Sequence, residues 1–302
     1  CRPKGRGRPA VVTRRTPNAG DGSPPDPLHV DPELTRRILV RFLRDGLHRH
    51  GFERGVVGLS GGLDSAVVAF LAADALGADN VLAVAMPYSA SSDASLQGAK
   101  EVAAATGIRL ETVPVTPMAG PYLADIAPDE KVRRGNVLAR TRMVVLYDLS
   151  ARDGALVLGT SNKTELLLGY STQFGDSACA LMPIGDLYKT QVRQLARHLG
   201  VPDGIITRPP SADLWEGQTD EQEMGFTYEA VDRLLVRLVD ARFDAERLIE
   251  DGFDPALVRR VREMVRRSHY KRRMPPIAKI SSRTIGIDFR YPRDWDAWGR
   301  GD

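Results

Sequence analysis

Hydrophobic and polar positions along the chain fall into blocks that predict helices and strands in turn. Asp31-Pro32 opens the first regular block. Asp suits a helix cap, Pro suits the first turn, and the amphipathic run continues to about His50. Gly55-Val56-Val57-Gly58-Leu59 is a short apolar segment, the pattern of a buried strand. Ser65 to Leu76 then reads as an apolar helix stopped by Gly77. The alternation repeats. Val81 to Met86 is a strand closed by Pro87, Ser95 to Thr106 a helix ended by Gly107, and Arg109 to Val115 a third strand. Asn136 to Ala151 is a further helix, and Ala155 to Gly159 a fourth strand.

Strands alternating with helices predict a parallel sheet covered on both faces. Right-handed crossovers then favour an α/β, doubly wound, Rossmann-like arrangement. Ligands of such sheets bind beyond the carboxyl ends of the strands, where the strand order reverses. The loops after Leu59, Met86 and Gly159 are therefore the places to look for chemistry. Past Gly159 the pattern turns mainly helical: Lys189 to Leu199, Tyr228 to about Ala241, Asp244 to Glu250, and Pro255 to His269. Asp213 to Glu223 reads as an acidic loop around Trp215, and the run from Tyr270 is basic.

Composition narrows the class. With 42% apolar and 27% charged residues in 302, the chain has the make-up of a soluble globular protein. Its longest apolar runs, such as Ala66 to Ala73, fall far short of the roughly 20 residues needed to span a bilayer. No charged-then-apolar leader is evident, and the two cysteines, Cys1 and Cys179, cannot form a thiolate metal cluster. A cytoplasmic setting is expected. The net charge is only +3, but Arg2, Lys4, Arg6, Arg8, Arg14 and Arg15 crowd the start among prolines. Residues 1–27 are expected to be a flexible basic tail and 28–302 a single domain. Neither a membrane nor a nucleic-acid partner is expected.

One loop stands out chemically. Ser60-Gly61-Gly62-Leu63-Asp64-Ser65 joins an apolar strand to an apolar helix. Its glycines let the backbone approach a ligand closely, and the helix behind it offers unpaired N–H groups to an anion. Ser60 and Ser65 add hydroxyl donors, so the loop suits a phosphate. Asp64 would repel that phosphate unless a divalent cation lay between, and Mg²⁺ is commonly held by one or two carboxylates plus phosphates. A Walker loop is excluded, because Gly-x4-Gly-Lys-Ser/Thr is missing.

The hexapeptide resembles the pyrophosphatase loop of the N-type ATP pyrophosphatases, which have the adenine nucleotide alpha hydrolase-like fold and split ATP between its α and β phosphates. Within that class, further blocks look like those of NAD synthetases, and they stand in the right order. They are Gly135 to Met143, Leu158 to Glu165, Tyr170 to Asp176, Pro183 to Gln191, Pro210 to Leu214, and Tyr270 to Pro275. The resemblance covers about Pro32 to Pro292.

It implies residue roles. Gly58, Leu59, Ser60, Gly61, Gly62, Leu63, Asp64 and Ser65 would bind ATP, together with Thr160, Lys189 and Ser211, the last standing where relatives have threonine. Thr160 lies just past the fourth strand, facing that loop. Glu165 can reach back to join Asp64 as a second Mg²⁺ carboxylate. Lys189 opens a helix, a poor place for a cation on dipole grounds, and a phosphate partner would remove the conflict. Arg140, Asp176 and Lys271 would contact deamido-NAD. At two more positions of that set the chain departs from its relatives: Gln173 replaces a lysine found in many, and Tyr270 a histidine found in some.

The implied reaction is the ATP-dependent amidation of deamido-NAD by ammonia through an acyl-adenylate, giving NAD, AMP and pyrophosphate. No nucleophilic side chain is required; Ser60, Asp64 and Lys189 would position the reactants. Free ammonia is the expected nitrogen source, since the part before the first strand leaves no room for an amidase core. Cys179 is expected to be a packing residue. A homodimer is implied, with the helices from Asn136 and Tyr228 as candidate contacts. The alternative is a tRNA-modifying ATP pyrophosphatase.

Overall fold

The first helix starts where its local chemistry requires. In the computed structural model, which describes residues 26–89, 93–211, 215 and 217–288, Asp31 caps helix α1 (Pro32–His48) by accepting the Leu34 N–H at 3.0 Å. Strand β1 (Arg54–Gly58) leads through the glycine loop into α2 (Leu63–Leu76), which is buried along most of its length. Strand β2 (Val81–Ala85), wholly buried, is followed by α3 (Asp93–Thr106) and strand β3 (Arg109–Thr112). Helices α4 (Thr116–Leu123) and α5 (Lys131–Asp153) carry the chain back to strand β4 (Ala155–Leu158).

The four strands are parallel, in the order β3-β2-β1-β4. The chain steps outward from β1 to β3 and then returns to the other side of β1, so the order reverses between β1 and β4. Successive residues of a strand face opposite ways, and the two cores follow from that. Val57 packs with α1, α2 and α3, in a cluster that includes Leu43, Leu47, Val67 and Val102. Its neighbour Val56 packs with α4 and α5, against residues such as Leu123, Leu138 and Val145.

Beyond β4 come α6 (Lys163–Leu168), α7 (Lys189–Leu199), α8 (Asp203–Ile206), α9 (Asp220–Met224), α10 (Tyr228–Leu235), α11 (Ala245–Glu250) and α12 (Pro255–Arg267). A third core joins α6, α10, α11 and α12 through Leu168, Tyr228, Leu234, Leu248 and Val261. Helix α7 ties this layer to the sheet. Tyr188 at its start belongs to the helical core, while Val192 and Leu195 belong to the core beneath the sheet.

The α/β reading holds, with differences at the ends of elements. Helix α5 begins at Lys131 rather than Asn136, running through Gly135, a poor helix former that suggests a later start. Helix α4 was not expected, since Gly120-Pro121 reads as a break. Strand β3 stops at Thr112, short of Val115. The helix from Tyr228 is α-helical only to Leu235 and passes into a π turn over Val236–Asp240. That turn places Asp240 where it accepts from Lys163 Nζ at 2.9 Å and Tyr188 Oη at 3.1 Å. Among the described residues, no helix is long and apolar enough to cross a membrane. Residues 1–25 of the expected basic tail, including Cys1, lie outside the described residues, as do Ala212, Asp213, Leu214 and Glu216 of the acidic segment.

Candidate functional site

A cavity of about 720 Å³ opens beyond the carboxyl ends of β1, β2 and β4, at the point of strand-order reversal. The turn that forms its floor depends on Gly61. Its φ is +75°, and a Cβ there would lie 2.1 Å from the Ser95 carbonyl oxygen, so no side chain fits. Arg208 holds the same turn from the other side, its Nη1 donating to the carbonyls of Gly61 at 3.1 Å and Ala94 at 3.0 Å. Ser60 and Ser65 were expected to offer hydroxyls to a ligand. In the structure the two hydroxyl oxygens are 3.1 Å apart, and Ser65 also accepts the Ser60 N–H at 3.3 Å. Ser65 is buried and braces the loop, whereas Ser60 is exposed at the cavity.

Asp64, in the first turn of α2, meets residues delivered by β4 and α7. Asn162, just after β4, caps α6 by accepting the Glu165 N–H at 3.0 Å, and Glu165 returns a bond from the Asn162 N–H at 3.3 Å. This reciprocal capping box fixes Glu165 and leaves the Asn162 amide free to donate to Asp64 Oδ1 at 3.1 Å. Lys189 Nζ lies between the two carboxylates, bonded to Asp64 Oδ2 and 3.3 Å from Glu165 Oε1.

Burial, reinforced by the Asp64 charge, pushes the Glu165 carboxyl up, and Lys189 opposes the rise. Burial alone would lower Lys189, which is only 3% exposed, but the two carboxylates outweigh it and hold its ammonium above the ordinary value. The misplaced helix-start cation is thus held by carboxylates as well as facing the cavity.

Other predicted residues divide into two groups. Gly58, Ser60 to Ser65, Thr160, Glu165, Lys189, Ser211, Asp176 and Lys271 all line the cavity. Asp176 is exposed to it and accepts the Thr172 N–H at 2.6 Å; the protein around its carboxyl pushes the pKa up by desolvation. Lys271 donates to the carbonyls of Gly169 at 2.8 Å and Ser171 at 2.7 Å, and desolvation lowers its ammonium.

Leu59, Arg140, Gln173 and Tyr270 do not line it. Leu59 is 2% exposed and packs in the core. Arg140 donates from Nε and Nη2 to the Gln173 carbonyl, at 3.3 and 3.2 Å, and lines a neighbouring concavity with Tyr122, Lys131 and Arg133. Tyr270 is 57% exposed.

Several residues that build the site were missed in the sequence. Asn162 could have been found, since Asn-x-x-Glu is a capping signature. Arg208 could not, because only the fold brings it to Gly61. The same holds for Asp220, whose carboxylate accepts from Tyr170 Oη at 3.1 Å and Tyr228 Oη at 3.0 Å. Cys179 is half-buried, and a Cβ on Gly159 would lie 2.5 Å from its sulfur, so it packs against the start of that loop. Among the described residues, no group of three or more His, Cys, Asp or Glu side chains could hold a metal alone. Asp64 and Glu165 both border the cavity, and two carboxylates together with phosphate oxygens are a donor set of the kind Mg²⁺ takes.

Comparison with known proteins places this geometry among relatives. The profile of the NAD synthase family matches residues 35–275. An NH(3)-dependent NAD(+) synthetase from Chlorobaculum parvum is 57% identical over 271 residues, which is 90% of this chain and 98% of that protein. Among solved structures, the NMN synthetase from Francisella tularensis superposes with a TM-score of 0.74 at 33% identity, covering 83% of this chain and all of its own. The NH3-dependent NAD synthetase from Campylobacter jejuni, solved with a nitrate ion, gives 0.71 at 33% identity with the same coverage.

Proposed function

The chain belongs to the NAD synthase family and is an ATP-dependent ligase that amidates deamido-NAD with ammonia, and we propose that the cavity beyond β1 and β4 is where both half-reactions occur. The observation that carries this assignment is the Asp64–Lys189–Glu165 cluster set directly beside the glycine loop. A tRNA-modifying activity is not favoured by relatives this similar.

In this reading the N–H groups around Gly61 and Gly62 and the start of α2 hold the phosphates of ATP. Asp64 and Glu165 would hold Mg²⁺, which supplies charge neutralisation for the pyrophosphate leaving group. Lys189, locked between the carboxylates, presents a fixed positive charge to the same phosphates, and Thr160 and Ser211 add hydroxyls at the wall. The nicotinate carboxylate attacks the α phosphorus, and pyrophosphate leaves. Ammonia then attacks the acyl-adenylate carbonyl, expelling AMP. The contribution of the protein is positioning and preorganised charge, with no covalent intermediate on a side chain.

Asp176 and Lys271, at the other end of the cavity, are assigned to deamido-NAD. Arg140, Gln173 and Tyr270 would join them from the neighbouring concavity and surface, completed by a second subunit. The homodimer is read from α5, which exposes Val132, Val144 and Tyr147. The helix from Tyr228 is a poor candidate for that contact, because Tyr228, Val231, Leu234 and Leu235 are buried in the helical core.

The test is to supply ATP, ammonium and either deamido-NAD or nicotinate mononucleotide, since one solved neighbour is an NMN synthetase. NAD and AMP are expected in equal amounts, with little turnover of the mononucleotide. Formation of ADP and phosphate, or preference for the mononucleotide, would overturn the assignment.

A further inference from the structure

Asp232 on α10 is fully buried, yet no step described above uses it. Its Oδ1 accepts the Thr164 hydroxyl at 2.6 Å, and its Oδ2 accepts the Thr190 N–H at 2.8 Å. Thr164 Oγ1 in turn accepts the Lys189 N–H at 3.0 Å. The first N–H groups of any helix lack an intrahelical partner. At α7, the first two are satisfied by a carboxylate and a hydroxyl delivered from two other helices. Thr164 adjoins Glu165, and Thr190 adjoins Lys189, so one carboxylate fastens both the helix carrying Glu165 and the helix carrying Lys189. The positive end of α7 favours the charged form. Burial pushes the Asp232 carboxyl up, and the bonds from Thr164 and Thr190 oppose that rise.

We propose that Asp232 is a positioning residue: it sets the separation of Lys189 and Glu165, and so the placement of the charges that act on ATP, without touching substrate. The proposal rests on the assignment of those two residues to ATP and Mg²⁺. Displacing a preorganised group by about 1 Å can cost on the order of 100-fold in rate. Asp232→Asn keeps the size of the side chain but turns one acceptor into an NH₂ donor, which cannot accept from Thr164 or Thr190.

Asp232→Asn is expected to lower kcat by about 10- to 100-fold, with the KM for deamido-NAD within about twofold. Val258→Ala, in the helical core away from the cavity, is the control for lost stability. It should lower Tm to a similar degree and keep kcat within about twofold. A folded Asp232→Asn with wild-type kcat, or one whose kcat falls no further than that of Val258→Ala, overturns the proposal.

If Asp232→Asn does not fold, Thr164 decides. Thr164→Ser, which keeps the hydroxyl, should restore most of the kcat that Thr164→Val loses, and equal losses would overturn the idea. Lys189→Ala in the same assay separates the two readings. Full activity there would remove the site assignment itself, whereas an inactive Lys189→Ala beside a fully active Asp232→Asn removes only the role given to Asp232.

Discussion

At the β1–β4 end of the cavity, Asp64, Asn162, Glu165 and Lys189 hold one another through side-chain bonds that involve α2, α6 and α7. At the other end, Asp176 and Lys271 are held by backbone groups, while Arg140 and Gln173 pair with each other outside the wall. The first set hangs on β1 and its neighbour β4, whose register is fixed by the parallel ladder pairing Val57 with Leu158. The second is gathered from α5, the loop before Asp176 and the turn at His269–Arg272. A reactive end needs rigid placement and is built from one sheet. The acceptor-binding role proposed for the other end tolerates a looser construction, which a second subunit would complete.

The largest effect is expected from Asp64→Ala. It removes the main partner of the buried Lys189 ammonium and leaves only the contact with Glu165, so the melting temperature should fall while the fold is kept. NAD formation should fall by about 10²–10³, the usual cost of losing one preorganised group. A rate within tenfold of wild type would remove Asp64 from the metal site.

At the acceptor end, Val144→Asp tests the dimer. A charge placed on the apolar face of α5 should weaken association by roughly 30-fold, about the 2 kcal/mol of an interface hot spot. Light scattering should show half the mass, and deamido-NAD binding should weaken with it. A monomeric mass in an active wild-type sample would contradict the proposal outright.

Gln173→Lys acts at the same end. Its added cation should tighten deamido-NAD by about tenfold, equivalent to a charge-assisted bond of roughly 1.5 kcal/mol, without moving the KM for ATP. The reverse pattern would mean that this loop serves the ATP end.

The smallest effect is expected at Cys179. Burial pushes its thiol up to about 11, so the thiolate is scarce until the pH approaches that value. Cys179→Ala should leave ammonia-driven turnover within about twofold, and alkylation should be slow near pH 7. Glutamine-driven turnover that Cys179→Ala abolishes would sink the ammonia reading.

The strand-and-helix alternation was legible because buried parallel strands are short apolar runs and their helices end at Gly77 and Gly107. The glycine loop was legible for the same local reasons. What could not be read was pairing at long sequence separation. Nothing near Lys189 announces that its ammonium meets Asp64, 125 residues away. Arg208, which clamps Gly61 across 147 residues, carries no local signal at all. Helix α4 was hidden by Gly120-Pro121, and the start of α5 by Gly135. In each of these cases tertiary packing overrode local propensity.

In the proposed reaction the acceptor carboxylate attacks the α phosphorus of ATP. Turnover of deamido-NAD labelled with ¹⁸O in its nicotinate carboxylate, followed by mass spectrometry of the products, tests it directly. Attack at the α phosphorus places one labelled oxygen in AMP and none in pyrophosphate. Label in inorganic phosphate accompanied by ADP, or unlabelled AMP, would contradict it.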